Sequence, residues 1–238
     1  MSLTDQGIFV ETGAAPVSTK PQRTRHRASS RAKSPLGGFE KRAIDLSIAA
    51  LALIVFSPLF LFVAILLRLT DPGPVFYGHK RVGLGGRSFH CLKFRTMCTD
   101  SDAVLQRVLA SDPAAAAEWE ATRKLRNDPR ISRVGRVLRA YSVDELPQLI
   151  NVIRGEMSLV GPRPVVTSEL TRYGNAAVHY LSARPGITGL WQVSGRSDTT
   201  YRARVTLDAR YVTDWSLAGD IMILLRTIPA VISARGSC

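Results

Sequence analysis

From Leu46 to Leu67 the chain carries no charged residue at all. The run is roughly 22 residues, about 33 Å as a helix, enough to cross a hydrocarbon core of about 30 Å. Two features complicate a simple span. Ser57-Pro58 sits at its middle, where Pro58 removes the hydrogen bond to the Ile54 carbonyl and favours a bend. Both flanks are also basic, with Lys41 and Arg42 before the run and Arg68, Lys80, Arg81 and Arg87 after it. A spanning helix normally keeps its positive flank on one side. Two positive flanks with a central breaker fit a re-entrant segment that enters and leaves on the cytoplasmic face; a kinked spanning helix is the alternative.

What surrounds the run sets the partner class. The chain has 238 residues, 45% apolar, with a formal charge of +13. That is one domain with a real core and an excess of cations, so an anionic partner is expected: nucleic acid, anionic lipid or a phosphorylated substrate. Residues 1–38 read as a disordered basic tail, rich in Ser, Thr, Pro and Gly and carrying Lys20, Arg23, Arg25, Arg27, Arg31 and Lys33. Next to an apolar run, such a tail reads as a juxtamembrane polybasic segment for anionic lipid. The run lies too far from the N-terminus for an ordinary cleaved signal peptide. Cys91, Cys98 and Cys238 form no ligand-spaced set, and their odd number argues against a disulfide framework. The cations are scattered, with no aromatic-interleaved groove and no recognisable module, which argues against a nucleic-acid binder.

After the turn Asp71-Pro72-Gly73-Pro74, Val75–Val82 and Ser88–Phe94 read as strands of a hairpin closed by Gly83-Leu84-Gly85-Gly86. Asp100–Leu125 reads as helix, broken near Ser111-Asp112-Pro113, and Val134–Tyr141 as a short helix bearing Arg133, Arg136 and Arg139. Further helices are expected over Thr167–Ser182 and Tyr201–Trp215, with a strand over Leu190–Arg196 and a last apolar helix from Leu217, kinked at Pro229.

The chemistry concentrates in Ser142-Val143-Asp144-Glu145-Leu146-Pro147-Gln148-Leu149-Ile150-Asn151. Ser142 and Glu145 have capping-box spacing; alternatively the helix starts at Asp144, with Pro147 in its first turn. Asp144, Gln148 and Asn151 share one face at helical spacing, opposite Leu146, Leu149, Ile150 and Ile153. A carboxylate at a helix start is expected to stay ionised, which suits a nucleophile or a Mg²⁺ ligand better than a general acid. Pro162-Arg163-Pro164 pins an arginine in an extended loop, suited to clamping a diphosphate. Lys93, Arg95, Arg139, Arg184 and Arg196 add cations, mostly on loops. No nucleotide-binding loop, zinc motif or Ser/His/Asp signal is present. Carboxylates, many cations and a membrane segment together suggest Mg²⁺-assisted chemistry on a diphosphate with a lipid partner.

From Phe39 to the end the chain resembles the bacterial sugar transferases, the monotopic polyprenyl-phosphate phosphoglycosyl transferases. The matching stretches are Lys41–Asp45, Ser57-Pro58, Asp71–Phe76, Leu92–Met97, Ser142–Leu149, Ser158–Pro164, Arg184–Val193 and Asp208–Asp220. The resemblance implies an α+β, mostly helical membrane enzyme with a small β-hairpin. Its parts would be the tail 1–38, a re-entrant helix-break-helix 39–70 broken at Ser57-Pro58, and a catalytic domain 71–238 on the cytoplasmic face of the bacterial inner membrane. It implies transfer of hexose 1-phosphate from a UDP-hexose, galactose or glucose, to undecaprenyl phosphate, with UMP released and exopolysaccharide assembly initiated. Asp144 would be the nucleophile and form an aspartyl-phosphosugar intermediate. Glu145 would hold Mg²⁺, Lys93 and Arg139 would contact phosphate, and Pro162-Arg163-Pro164 the uridine phosphate. A homo-oligomer is compatible with all this, and the resemblance says nothing of the tail. The rival expectation is a single-span membrane scaffold of a polysaccharide export complex without catalysis.

Overall fold

The computed structural model describes residues 35–122, 125–195 and 200–232. The tail to residue 34 and Arg196 lie outside them. The first element, α1, runs Gly38–Thr70 as one helix of 33 residues with Pro58 inside it. The expected helix-break-helix is thus a single hydrogen-bonded element. The local chemistry explains why: Pro58 cannot donate to the Ile54 carbonyl, and the Ser57 hydroxyl donates to that same carbonyl at 2.8 Å. One lost backbone bond is replaced from within the same turn.

A hairpin follows, β1 (Phe76–Val82) and β2 (Ser88–Phe94), antiparallel in the register Tyr77 opposite Lys93 and Val82 opposite Ser88. Then come α2 (Ser101–Ser111), α3 (Pro113–Thr122) and α4 (Arg133–Ala140), close to the ranges read from sequence. The Asp112-Pro113 break is where Asp112 Oδ1 accepts from the Ala114 and Ala115 amides, an N-cap for α3. A 3₁₀ turn Val143–Glu145 leads into α5 (Gln148–Arg154).

The second half differs more from expectation. The long helix over Thr167–Ser182 is α6 (Thr167–Thr171), a 3₁₀ turn Gly174–Ala176 and α7 (Ala177–Leu181). Gly174, at φ 52°, takes the left-handed conformation that ends the first piece. The expected strand Leu190–Arg196 is instead a helical turn, α8 (Leu190–Val193). The strand lies just before it: β4 (Gly186–Thr188) pairs in parallel with β3 (Ser158–Val160). This pairing needs glycine. A Cβ on Gly161 would stand 2.4 Å from the Arg184 carbonyl oxygen, and one on Gly186 would stand 2.1 Å from the Gly161 amide. The chain closes with α9 (Tyr201–Thr213) and α10 (Leu217–Ile232), Pro229 lying inside α10.

α1 touches the body near both ends. Ala49, Ala52 and Leu53 pack with Leu149, Val152, Leu159 and Tyr211, while Leu59, Phe60, Val63 and Leu67 pack with Phe94 and Leu138. Leu146 touches both clusters, so they belong to one body. The outward stripe stays apolar and exposed: Leu51, Ile54, Val55, Leu61, Phe62 and Leu69. α10 presents a second such stripe with Ile221, Met222, Leu225 and Ile228.

The N-terminal end is locked by a buried polar network. Lys41 Nζ donates to Asp220 Oδ2 at 2.6 Å, and Trp215 Nε1 donates to the same oxygen at 3.1 Å. The Tyr211 hydroxyl lies 2.8 Å from Asp220 Oδ1 and 2.9 Å from the Val160 carbonyl. One turn along α1, Asp45 accepts from the Ser158 hydroxyl at 2.8 Å and from the Leu159 amide at 3.1 Å. Lys41 and Asp220 are 7% and 5% exposed, so removing one charge strands the other out of water. Lys41→Met is expected to cost about 3 kcal/mol or more of unfolding free energy. Lys41→Met with Asp220→Asn should recover part of that loss. Denaturant unfolding in detergent micelles checks both; a Lys41→Met protein as stable as the wild type would remove this lock from the account.

Candidate active site

The site is built where the chain leaves α4. Ser142 adopts φ 55°, the one non-glycine residue in the left-handed region among the described residues. That conformation costs of order 1 kcal/mol and turns the chain sharply out of α4 into the 3₁₀ turn. The Ser142 side chain makes no capping bond, so the capping box is not formed, and α5 begins later than either sequence reading, with Pro147 in the cap position. The consequence is that Asp144 is carried inward and is 6% exposed.

β2 delivers the counter-charge. Lys93 Nζ donates to Glu145 Oε1 at 2.7 Å and lies 3.6 Å from Asp144 Oδ2. The neighbouring carboxylates therefore share one ammonium, and their pKa values move in opposite directions. Burial raises that of Asp144; Lys93 and Arg139 oppose the rise and Glu145 adds to it. Burial also works against ionisation of Glu145, yet Lys93 and Arg163, with hydrogen bonds from Lys93 and Gln148, bring it below the ordinary range. The ionised helix-start carboxylate expected from sequence is thus Glu145, and Asp144 is the one pushed up. Lys93 itself loses to burial and gains more from Glu145 and Asp144, so its pKa is raised.

Arg139 approaches from α4, its Nε donating to the Thr96 hydroxyl at 2.8 Å. Gly135 allows that approach: a Cβ there would stand 2.1 Å from the Thr96 carbonyl oxygen. Arg163, between Pro162 and Pro164, lies close enough for its charge to act on Lys93 and Glu145. Its loop is fastened to the hairpin, with the Val82 amide donating to the Val165 carbonyl at 2.9 Å and Arg81 Nη1 donating to the Pro164 carbonyl at 3.4 Å.

A buried carboxylate beside an ionised one, with the charges of Lys93, Arg139 and Arg163 acting on them, is an arrangement whose electrostatics suit a polyanionic ligand. Comparison with known proteins gives the family. The profile of the family "Bacterial sugar transferase" matches residues 37–234. The chain belongs to the bacterial sugar transferase family. It is a phosphoglycosyl transferase, an enzyme rather than a scaffold. The exopolysaccharide production protein ExoY of Rhizobium meliloti (strain 1021) is 57% identical over 203 residues, which cover 85% of this chain and 90% of that protein. The undecaprenyl-phosphate galactose phosphotransferase of Salmonella typhimurium (strain LT2) is 51% identical over 200 residues, covering 84% of this chain and 42% of that protein. The UDP-glucose:undecaprenyl-phosphate glucose-1-phosphate transferase of Caulobacter vibrioides (strain ATCC 19089) is 43% identical over 201 residues, covering 81% and 70%.

Two of the cations read as substrate-binding have other partners in this transferase. Arg95 is 7% exposed and turned to the Asp71–Pro72 turn, where Nη2 donates to the Asp71 carbonyl and lies 3.5 Å from the Asp71 carboxylate. Arg184 Nε donates to the Gly155 carbonyl at 2.9 Å, at the end of α5 opposite Asp144. Arg42 caps the same end by donating to the Val152 and Ile153 carbonyls at 2.7 and 3.1 Å. Asn151, expected to face the site, is fully buried: Oδ1 accepts from the Leu92 amide and Nδ2 donates to the His90 carbonyl, holding β2 against α5. Gln148, on the face expected from sequence, bears on the site through Glu145, and Arg81, read only as a basic flank of the apolar run, bears on it through Pro164.

Direct titration of the carboxyl groups tests this electrostatic picture. Carbon-13 NMR of selectively labelled enzyme should show Asp144 titrating above the ordinary aspartate range and Glu145 below the ordinary glutamate range. Lys93→Met should move both upward, because a cation that favours both ionised forms is gone. Glu145 titrating above Asp144 in the wild type would contradict it.

Proposed function

We propose that this transferase moves hexose 1-phosphate from a UDP-hexose, galactose or glucose, to undecaprenyl phosphate through a covalent intermediate on Asp144, and so initiates exopolysaccharide assembly. The names of the Salmonella and Caulobacter relatives support the reaction class and both substrates. The observation that carries the mechanism is the pairing of a buried Asp144 with an ionised Glu145 on one lysine.

In the first step an Asp144 carboxylate oxygen attacks the β-phosphorus of the donor. The bond from that phosphorus to the bridging oxygen breaks, and UMP departs with the electron pair. In the second step a phosphate oxygen of undecaprenyl phosphate attacks the same phosphorus, and Asp144 leaves as a carboxylate. Desolvation raises the energy of the free carboxylate and so favours its attack, while Lys93 keeps enough of it ionised to react. Arg139 and Arg163 would neutralise the donor's phosphates and hold them in line. Glu145 fits a Mg²⁺ site: it is held ionised, its side chain is 27% exposed, and a carboxylate keeps lone pairs beyond those used by Lys93 and Gln148. Mg²⁺ commonly takes one or two carboxylates together with substrate phosphates, and when bound it would offset diphosphate charge.

The membrane reading follows from α1. A helix that crossed a bilayer would carry its far half away from a body on one side, yet both halves of α1 pack on the same body. The outward stripes of α1 and α10 are apolar. This favours a helix embedded from one face of the inner membrane over a span, and the basic residues near both ends of α1, Lys41, Arg42 and Arg68, suit the cytoplasmic face. Anionic lipid beside the basic tail suits the charge of +13.

The two-step reading is tested by a burst. UDP-hexose and Mg²⁺ without lipid should release UMP up to about one equivalent of active enzyme, because the first step needs no acceptor. Asp144→Asn should abolish the burst and turnover. Glu145→Gln should lower turnover by orders of magnitude, far beyond what its loss of stability accounts for. UMP release that strictly requires the lipid acceptor would overturn the two-step reading.

A further inference from the structure

A layer of aromatic and charged side chains stands behind the Pro162–Pro164 loop and takes no part in the chemistry above. The Arg163 guanidinium lies 5.5 Å from the centre of the Trp191 ring. The Arg204 guanidinium lies 5.0 Å from the same ring and 5.5 Å from that of Tyr201. Arg204 is 8% exposed, its Nη1 3.8 Å from Glu169 and its Nε 4.0 Å from Asp208 Oδ2. Asp208 is 2% exposed and accepts from the Tyr173 hydroxyl at 2.8 Å. Burial pushes Asp208 up to about 6, against the pull of Tyr173, Arg204 and both the backbone amide and guanidinium of Arg163.

This layer is costly. Arg204 Nε and Nη2 and Asp208 Oδ1 are buried without a hydrogen-bond partner, and such atoms each cost stability. A purely structural core at this place would be better served by apolar side chains. What the layer does supply is a planar, electron-rich surface for Arg163. A long arginine side chain has much rotamer freedom to lose when it binds an anion. Flanking prolines fix its backbone, and a cation–π contact with an indole restrains the guanidinium through the ring face rather than through the N–H groups that phosphate oxygens would use. Binding energy is then not spent on ordering the clamp.

We propose that Trp191, backed by Arg204 and Asp208, is the positioning residue that holds the Arg163 guanidinium ready for the donor's diphosphate. This rests on the reading of Arg163 as a donor-phosphate clamp. It predicts a coupling that a general packing role does not produce.

A double-mutant cycle measured on the KM and kcat for UDP-hexose tests it, using full-length enzyme in detergent with undecaprenyl phosphate. Arg163→Ala should raise KM at least about tenfold. Trp191→Leu should raise KM about five- to tenfold with a smaller change in kcat, and Trp191→Phe should stay within about threefold. On the Arg163→Ala background, Trp191→Leu should add almost nothing. Arg204→Lys, which keeps the charge and loses the planar group, should follow the same pattern with smaller effects and gives the test a second variant if Trp191→Leu does not fold. If Arg163→Ala raises KM but Trp191→Leu and Arg204→Lys raise it equally with and without Arg163, the positioning role is overturned. If Arg163→Ala leaves KM unchanged, the clamp reading itself falls.

Discussion

A helix that is apolar on every side has to be joined to a body carrying a large positive charge, and the join is the buried contact of Lys41 with Asp220. Without it and the bonds of Arg42 and Asp45 to α5 and β3, α1 would have only apolar contacts to the body, which do not fix rotation about its axis. Lys41 and Asp45, one turn apart, meet α10 and β3 respectively and set both the rotation and the height of the helix. With the rotation set, Val63 and Leu67 fall on Phe94 and Leu138. Phe94 is the residue after Lys93, and Leu138 precedes Arg139. The seating of the membrane helix and the placing of two site cations are therefore one packing problem.

The site uses burial against charge. Asp144 and Glu145 are neighbours in sequence, and in water they would differ little. Here the left-handed Ser142 and the 3₁₀ turn leave one carboxyl 8% exposed and the other 27%. Lys93, 2.7 Å from Glu145 and 3.6 Å from Asp144, favours the more open partner. One group is thereby kept as a stable anion and the other as a desolvated one, which are different chemical reagents.

Much of this was legible in the chain. The hairpin could be bounded to within a residue because Gly83–Gly86 and the alternating strands are local signals. The α2–α3 break was equally plain, since Asp112-Pro113 is both a cap and a stop. What the sequence hid was long-range. The β3–β4 pairing depends on two glycines, Gly161 and Gly186, meeting from separate segments, so local pattern points to a strand at Leu190–Arg196, where a helical turn lies over Leu190–Val193 instead. Arg95 and Arg184 looked like site cations because their partners, the Asp71 and Gly155 carbonyls, are reachable only in three dimensions. The polar face of Gln148 and Asn151 read as open to a ligand; Asn151 in fact satisfies the edge of β2. Asp144 and Glu145 stand out as a pair in the sequence, but their split into a less and a more ionised group depends on burial and on the approach of Lys93, which no spacing reveals.

The central claim is that Asp144 carries the sugar phosphate covalently. Enzyme mixed with UDP-hexose and Mg²⁺ in the absence of lipid, quenched in acid and digested, can be mapped by mass spectrometry. The account predicts a single hexose-phosphate adduct on Asp144, absent from Asp144→Asn and lost on adding undecaprenyl phosphate. An adduct on another residue, or a fully active enzyme that never carries one, would contradict it.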